Sequence, residues 1–166
     1  MQKTSARPAD EIEKIITTYG DMLFRLCLVM LGNSNDAEDA IQETMLTYLQ
    51  KTPDFRDAEH QKAWLITVAT NKSIDILRFR ARHPVASMEN TVENLNEFTK
   101  NTSDSGILDA LMTLPEKFRL VLVLYYVEQY SMEDIAKIIG RTTSAVKMRL
   151  QKGRKLLSET YRKEYM

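Results

Sequence analysis

The stretch from Ser131 to Leu157, SMEDIAKIIGRTTSAVKMRLQKGRKLL, reads as two helices about a tight turn, the second of them basic. Ser131 stands as an N-cap with Asp134 three residues on, so its hydroxyl and the carboxylate satisfy free amides of the first turn. Met132, Ile135, Ala136 and Ile139 follow at i, i+3, i+4 and i+7 and form one buried stripe; Gly140 then supplies the left-handed conformation that ends a helix. Thr142 or Thr143 caps the next one. There Val146, Leu150, Gly153 and Leu157 share an inner face, which leaves Lys147, Met148, Gln151, Lys152, Arg154 and Lys155 pointing outward. Residues 141–155 carry six basic side chains and no acidic one. A helix the width of the major groove, with cations flanking Gln151 and Met148, is the arrangement that reads base edges in a helix-turn-helix, the alternative being a plain solvated basic face.

Outward from this motif, the chain of 166 residues is long enough for two small domains, and with 43% hydrophobic and 28% charged residues it suits a globular protein. Only five Gly and four Pro interrupt long runs of helical periodicity, so the expected class is all-α, with two small helical domains joined by a linker. The longest apolar run, Leu120 to Val127, falls far short of the roughly 20 residues that span a bilayer. No signal peptide opens the chain, and the expected setting is cytoplasmic, without membrane insertion. The single cysteine, Cys27, sits in an apolar helical pattern and excludes an intrachain disulfide.

The net charge of zero conceals a segregation. Residues 1–50 carry four basic against eight acidic side chains, 51–83 seven against four, 84–106 one against four, and 107–166 eleven against seven. Such blocks suit an acidic surface for a protein partner and two basic surfaces for nucleic acid.

From Asp10 to Leu31 the residues Ile12, Ile15, Ile16, Tyr19, Leu23, Leu26, Cys27 and Met30 recur at helical spacing, with Gly20 a weak point and Gly32 the end. Ser34 or Asn35 is expected to cap a second helix whose first turn holds Asp36, Glu38 and Asp39, where the macrodipole favours negative charge. Its inner stripe is Ala37, Ala40, Ile41, Thr44, Met45 and Tyr48. The outer stripe, Asp39, Gln42, Glu43 and Leu46, is a docking face for a basic helix or else a plain solvated face. A loop from Thr52 to Gln61 holds Phe55 and Arg56. A third helix from about Gln61 to Arg82 turns Leu65, Val68, Ala69, Ile76 and Phe79 inward and shows a stripe of Thr67, Asn71, Asp75, Arg78 and Arg82, flanked by Lys72 and Arg80. An amide amid cations, beside a loop aromatic, fits a single strand with splayed bases; core Trp64 and merely solubilising arginines fit it equally well. Residues 85–106, acidic and poor in apolar side chains, read as a flexible linker with a short helical turn near Val92 to Phe98. Ile107 to Leu114 makes a short helix, and Pro115 opens another with Phe118, Val121, Leu122 and Tyr125 inward.

His60 and His83 lack carboxylates at ligand spacing, and no phosphate loop or nucleophile motif occurs, so no catalytic residue, metal, cofactor or small-molecule substrate is expected.

Taken together, DAEDAIQET, then FR followed by AWLITVATNKSIDILR, then LPEKFRLVLVLYYVEQYSMEDIAKIIG and TTSAVKMRLQKGRKLL resemble, in order and separation, an extracytoplasmic function (group IV) sigma factor of the sigma-70 family over about Ile12 to Leu157. The resemblance implies a region 2 domain over residues 1–83, a linker over 84–106 and a region 4 domain over 107–166. It implies promoter recognition, promoter melting and transcription initiation with core RNA polymerase and promoter DNA as partners, and an anti-sigma factor as a further one. Asp39, Gln42 and Glu43, with Leu46 beside them, fall where the family binds the polymerase clamp helices. Asn71 falls where a flipped minus-ten base is read, Phe55 and Arg56 where its pocket is shaped, and Lys72, Arg78 and Arg80 near phosphates. Lys147, Met148, Gln151 and Lys152 fall at minus-thirty-five reading positions, with Arg149 and Arg154 as phosphate contacts. The chain departs from the family at Glu128-Gln129-Tyr130, where many members carry a small residue or Gly before the Ser of the helix-turn-helix. The competing readings are a stand-alone helix-turn-helix regulator binding an operator as a dimer, and a structural adaptor, which leaves the six cations of residues 141–155 unexplained.

Overall fold

The computed structural model describes residues 9–51, 54–83 and 105–165, and among them every regular element is helical. An N-terminal lobe is built from α1 (Ala9–Leu31), α2 (Ser34–Lys51) and α3 (Ala58–Arg82), each packed against the other two. A C-terminal lobe contains α4 (Ser105–Met112), α5 (Glu116–Leu122) running into a π-helical turn (Val123–Val127), α6 (Met132–Ile139) and α7 (Thr143–Tyr165).

In the N-terminal lobe Leu23, Leu26, Cys27, Ala37, Ala40, Tyr48, Leu65 and Ala69 are fully buried, as their spacing predicts. Each large aliphatic among them contributes about 1.5–3 kcal/mol by leaving water. Burial also pushes the Cys27 thiol up to about 11, so it stays protonated and acts as core. Two residues assigned inward lie at the surface instead: Ile16 is 50% and Phe79 56% exposed, because three helices cover only part of each helix's circumference. The α1 helix runs unbroken through Gly20, where an added Cβ would meet only the Ile16 side chain at 3.4 Å.

Helix ends differ from the expected ones by a few residues. Asn33, not Ser34 or Asn35, caps α2: its Oδ1 accepts the Asp36 amide at 2.8 Å. The loop after α2 is shorter than expected because Asp57 caps α3 early, accepting the His60 amide at 2.8 Å. Ser105 begins α4 two residues inside the segment assigned as linker, and α4 ends at Met112 rather than Leu114. Pro115 is itself the cap of α5 rather than its first turn, with ψ 147°. The helical turn expected near Val92 to Phe98 lies outside the described residues.

The helix-turn-helix forms as its punctuation dictates. Ser131 Oγ accepts the Asp134 amide at 3.1 Å, and Thr142 Oγ1 accepts that of Ala145 at 3.1 Å, which decides between the two candidate caps. Gly140 takes φ 68°, and the Gly140 and Arg141 amides both return to the Ala136 carbonyl. Gly153 lets α5 approach α7: a Cβ there would lie 3.3 Å from Leu122 and 3.4 Å from Phe118.

The two lobes pack on each other, α1 against α5 and α3 against α6. Phe118, Val121 and Leu122 are buried as expected, yet Arg119, Leu120, Val123 and Leu124 are buried as well: α1 packs on this helix and Arg119 reaches the Met30 carbonyl, while Val123 lines a groove against α7.

Candidate nucleic-acid and partner interfaces

Three surfaces carry the residues singled out by sequence. On α2, Asp39, Gln42 and Glu43 are exposed and Leu46 is 48% exposed, so the stripe forms one outward face. That face continues across a cleft of about 490 Å³ onto α3, whose Lys72, Asp75, Ile76 and Phe79 form the other wall. The cleft therefore joins acids to an apolar floor, a chemistry suited to a basic amphipathic helix. Phe79, expected inward, lies on this surface instead, while Ile76 packs against the core as expected and also lines the cleft.

On α3, Asn71 and Arg78 are exposed and lie on the same helix face, with Lys72 half-buried between α3 and α2. Arg80 is committed elsewhere: its Nε donates to Asp36 Oδ2 at 2.7 Å and its Nη2 closes on the same oxygen, tying α3 to the first turn of α2. Nothing in the sequence signals a pair 44 positions apart. Phe55 is half-buried, its ring stacked on Tyr48 (6.2 Å, 14°) and edge-on to Trp64 (5.8 Å), while the Tyr48 hydroxyl donates to Glu11 at 2.8 Å and accepts from Gln61 at 3.1 Å. This cluster fixes the loop between α2 and α3 and leaves Arg56 exposed at its edge. Trp64 is thereby structural. At the end of α3 the exposed Phe79 stacks on His83, ring centroids 4.1 Å apart.

On α7, Val146, Leu150 and Gly153 are buried, and Lys147, Gln151, Lys152 and Arg154 are exposed, as is Met148, an apolar side chain left 70% open to solvent. The Lys152 ammonium lies 6.0 Å from the Phe118 ring, so its stem is braced on the lobe. Arg154 donates to the Tyr126 hydroxyl at 2.8 Å. Arg149 is half-buried, and burial, with Arg141 nearby, pulls its guanidinium below the ordinary value, which favours an anion beside it. Among the described residues no group of three His, Cys, Asp or Glu is placed to hold a metal ion, and no helix is long and apolar enough to cross a membrane.

Comparison with known proteins follows the same division. Residues 15–83 match Sigma-70 region 2, and residues 105–157 match Sigma-70 region 4. The chain is 29% identical to the ECF RNA polymerase sigma factor SigW of Bacillus subtilis, the alignment covering 92% of this chain and 90% of the relative. It is 30% identical to the sigma factor SigV of the same organism, over 90% of each. Its fold is that of the sigma factor RpoE of Bartonella quintana, solved in complex with the anti-sigma factor NepR (TM-score 0.71, 20% identity, 94% of this chain and 99% of that one). It is also that of CnrH, solved with the cytosolic domain of CnrY (TM-score 0.65, 22% identity, 95% and 91%). A region 2 ahead of a region 4 excludes the stand-alone operator binder. On these matches the chain belongs to the sigma-70 family of RNA polymerase sigma factors, in its extracytoplasmic function group.

Proposed function

We propose that the three exposed surfaces divide the work of initiation among them, and that the chain acts by binding rather than by catalysis. Core RNA polymerase docks on Asp39, Gln42, Glu43 and Leu46, with Ile76 and Phe79 completing the apolar floor. Asn71 reads a base extruded from the opening minus-ten duplex, beside the pocket shaped by Phe55 and Arg56. Lys72 and Arg78 neutralise nearby phosphates, and Arg80 joins them when it leaves Asp36. Capturing an extruded base lowers the free energy of the melted strand, so binding energy does the melting. Lys147, Met148, Gln151 and Lys152 read the minus-thirty-five element, with Arg149 and Arg154 on its backbone.

The observation that carries this reading is the outward face of α7, where Met148, Gln151 and four cations stand clear of the core on a helix otherwise anchored by Val146 and Leu150. An anti-sigma factor is the further partner, a reading supported by the structural likeness to RpoE, which was solved with one. In vitro transcription from genomic fragments tests the whole. Core polymerase plus this chain should initiate at a defined set of promoters that core alone ignores, and Asn71→Ala should lose open-complex formation while retaining core binding. A chain that shifts duplex operators unaided and directs no initiation would overturn the proposal.

A further inference from the structure

Met148 keeps its sulfur in solvent on the outward face of α7. It is 70% exposed, whereas the other described sulfurs are covered: Met30, Met45 and Cys27 are buried, and Met22, Met112 and Met132 are half-buried against the core. The Met112 sulfur also accepts from Arg119 Nη1 at 3.6 Å. Cys27, held as a thiol by burial, lacks the thiolate that oxidants attack. Met1, Met88 and Met166 lie outside the described residues. Among the described sulfurs, the one open to a dissolved oxidant therefore stands beside Lys147, Gln151 and Lys152.

A thioether at that place has two chemical states. Reduced, it is an unbranched apolar group suited to a thymine methyl. Carrying one oxygen, it is a polar acceptor. Gln151 and Lys152 follow Met148 at i+3 and i+4, the spacings at which helical side chains meet, so a sulfoxide oxygen comes within reach of the Gln151 amide and the Lys152 ammonium. Oxidation thus removes the apolar contact and also draws the carboxamide donor away from an adenine edge. Where the new acceptor is pressed on a methyl instead, it loses its hydration and gains no donor.

We propose that Met148 is an oxidation site, that a hydroperoxide converts its thioether to the sulfoxide, and that this switches off minus-thirty-five reading until the sulfur is reduced. The proposal rests on the reading role assigned to α7 above. The sulfur lone pair attacks one oxygen of hydrogen peroxide, and an S–O bond forms as the O–O bond breaks. The sulfur is oxidised by two electrons, and the departing hydroxide takes the proton shed by the transferred oxygen and leaves as water. A methionine sulfoxide reductase reverses the change.

Oxidising the full chain with hydrogen peroxide before adding core polymerase tests it, with peptide mass spectrometry and a promoter library as readouts. Met148 should gain one oxygen ahead of Met22, Met112 and Met132, with helical circular dichroism unchanged. The oxidised holoenzyme should bind its preferred promoters roughly fivefold to a hundredfold more weakly, the range for one unsatisfied acceptor. Selection should relax at the minus-thirty-five positions read by Met148 and Gln151, and methionine sulfoxide reductases should restore both affinity and selection. In Met148→Leu, whatever its untreated affinity, the ratio of treated to untreated binding should stay near one, which sets aside Met1, Met88 and Met166. A treated Met148→Leu chain that loses as much as the wild type, a uniform loss across all sequences, or a Met148 that stays reduced while the half-buried methionines oxidise would overturn the proposal. If Met148→Ala and Gln151→Ala leave the library unmoved before any oxidation, the base-reading assignment fails and the proposal with it. A library moved by those substitutions but not by peroxide overturns the oxidation switch alone.

Discussion

Gln151 and Arg154 lie one turn apart on the exposed face of α7 and differ in what their side chains can distinguish. A carboxamide both donates and accepts and so pairs with an adenine edge, whereas a guanidinium on a phosphate carries no base information. Gln151→Ala is expected to cost about 1–3 kcal/mol at the preferred promoter and to relax selection at one minus-thirty-five position. Arg154→Ala should weaken all promoters alike, and Tyr126→Phe, which removes the hydroxyl that Arg154 donates to at 2.8 Å, should do the same to a smaller degree. A promoter-library readout separates the patterns: a uniform loss with Gln151→Ala would pass the reading role to Lys147 or Met148.

Among the elements, α6 is short, eight residues, and leans on its ends. Ser131→Ala removes the acceptor of the Asp134 amide and should cost about 1 kcal/mol, seen as a lower denaturant midpoint with an unchanged m-value. Gly140→Ala forces a Cβ into φ 68° and should cost a similar amount, about 1–2 kcal/mol, although no neighbour crowds the position. Helix α2 supports a different test. Asp39 and Glu43 are exposed one turn apart, so reversing both to Lys should leave circular dichroism and melting nearly unchanged while core polymerase pull-down falls. Retained pull-down would move the docking face off α2.

At the scale of the molecule, the packing of one lobe on the other makes stability depend on alkaline pH. Burial, and after it the charges of Glu59, Glu128 and Asp134, push the Tyr130 hydroxyl from 10.0 up to about 12. Unfolded, this tyrosine ionises near 10.0, so its contribution is complete below that pH and is lost as pH rises toward 12. Denaturant midpoints measured from pH 9 to 12 should therefore fall, and fall less in Tyr130→Phe. Tyr19, raised by burial and then by Glu59, adds a background slope that the variant retains. An identical slope in both proteins would place the alkaline loss elsewhere.

Periodicity and punctuation alone determined the helices, the inner stripes of α2 and α7, the caps at Ser131 and Gly140 and the outward residues of α7, because each is set by contacts within about four residues along the chain. The charge blocks likewise set an acidic N-terminal segment apart from basic ones along the chain itself. Only the tertiary structure decided that Phe79 lies on the cleft wall and not in the core, since a 3.6-residue period gives a stripe but not its width. It alone committed Arg80 to Asp36 and Phe55 to Tyr48 and Trp64. And it turned Glu128-Gln129-Tyr130 from a departure in one turn into the joint between lobes, because the cations that hold Glu128 stand 103 and 66 positions away, at Arg25 and Lys62, where local pattern has no reach.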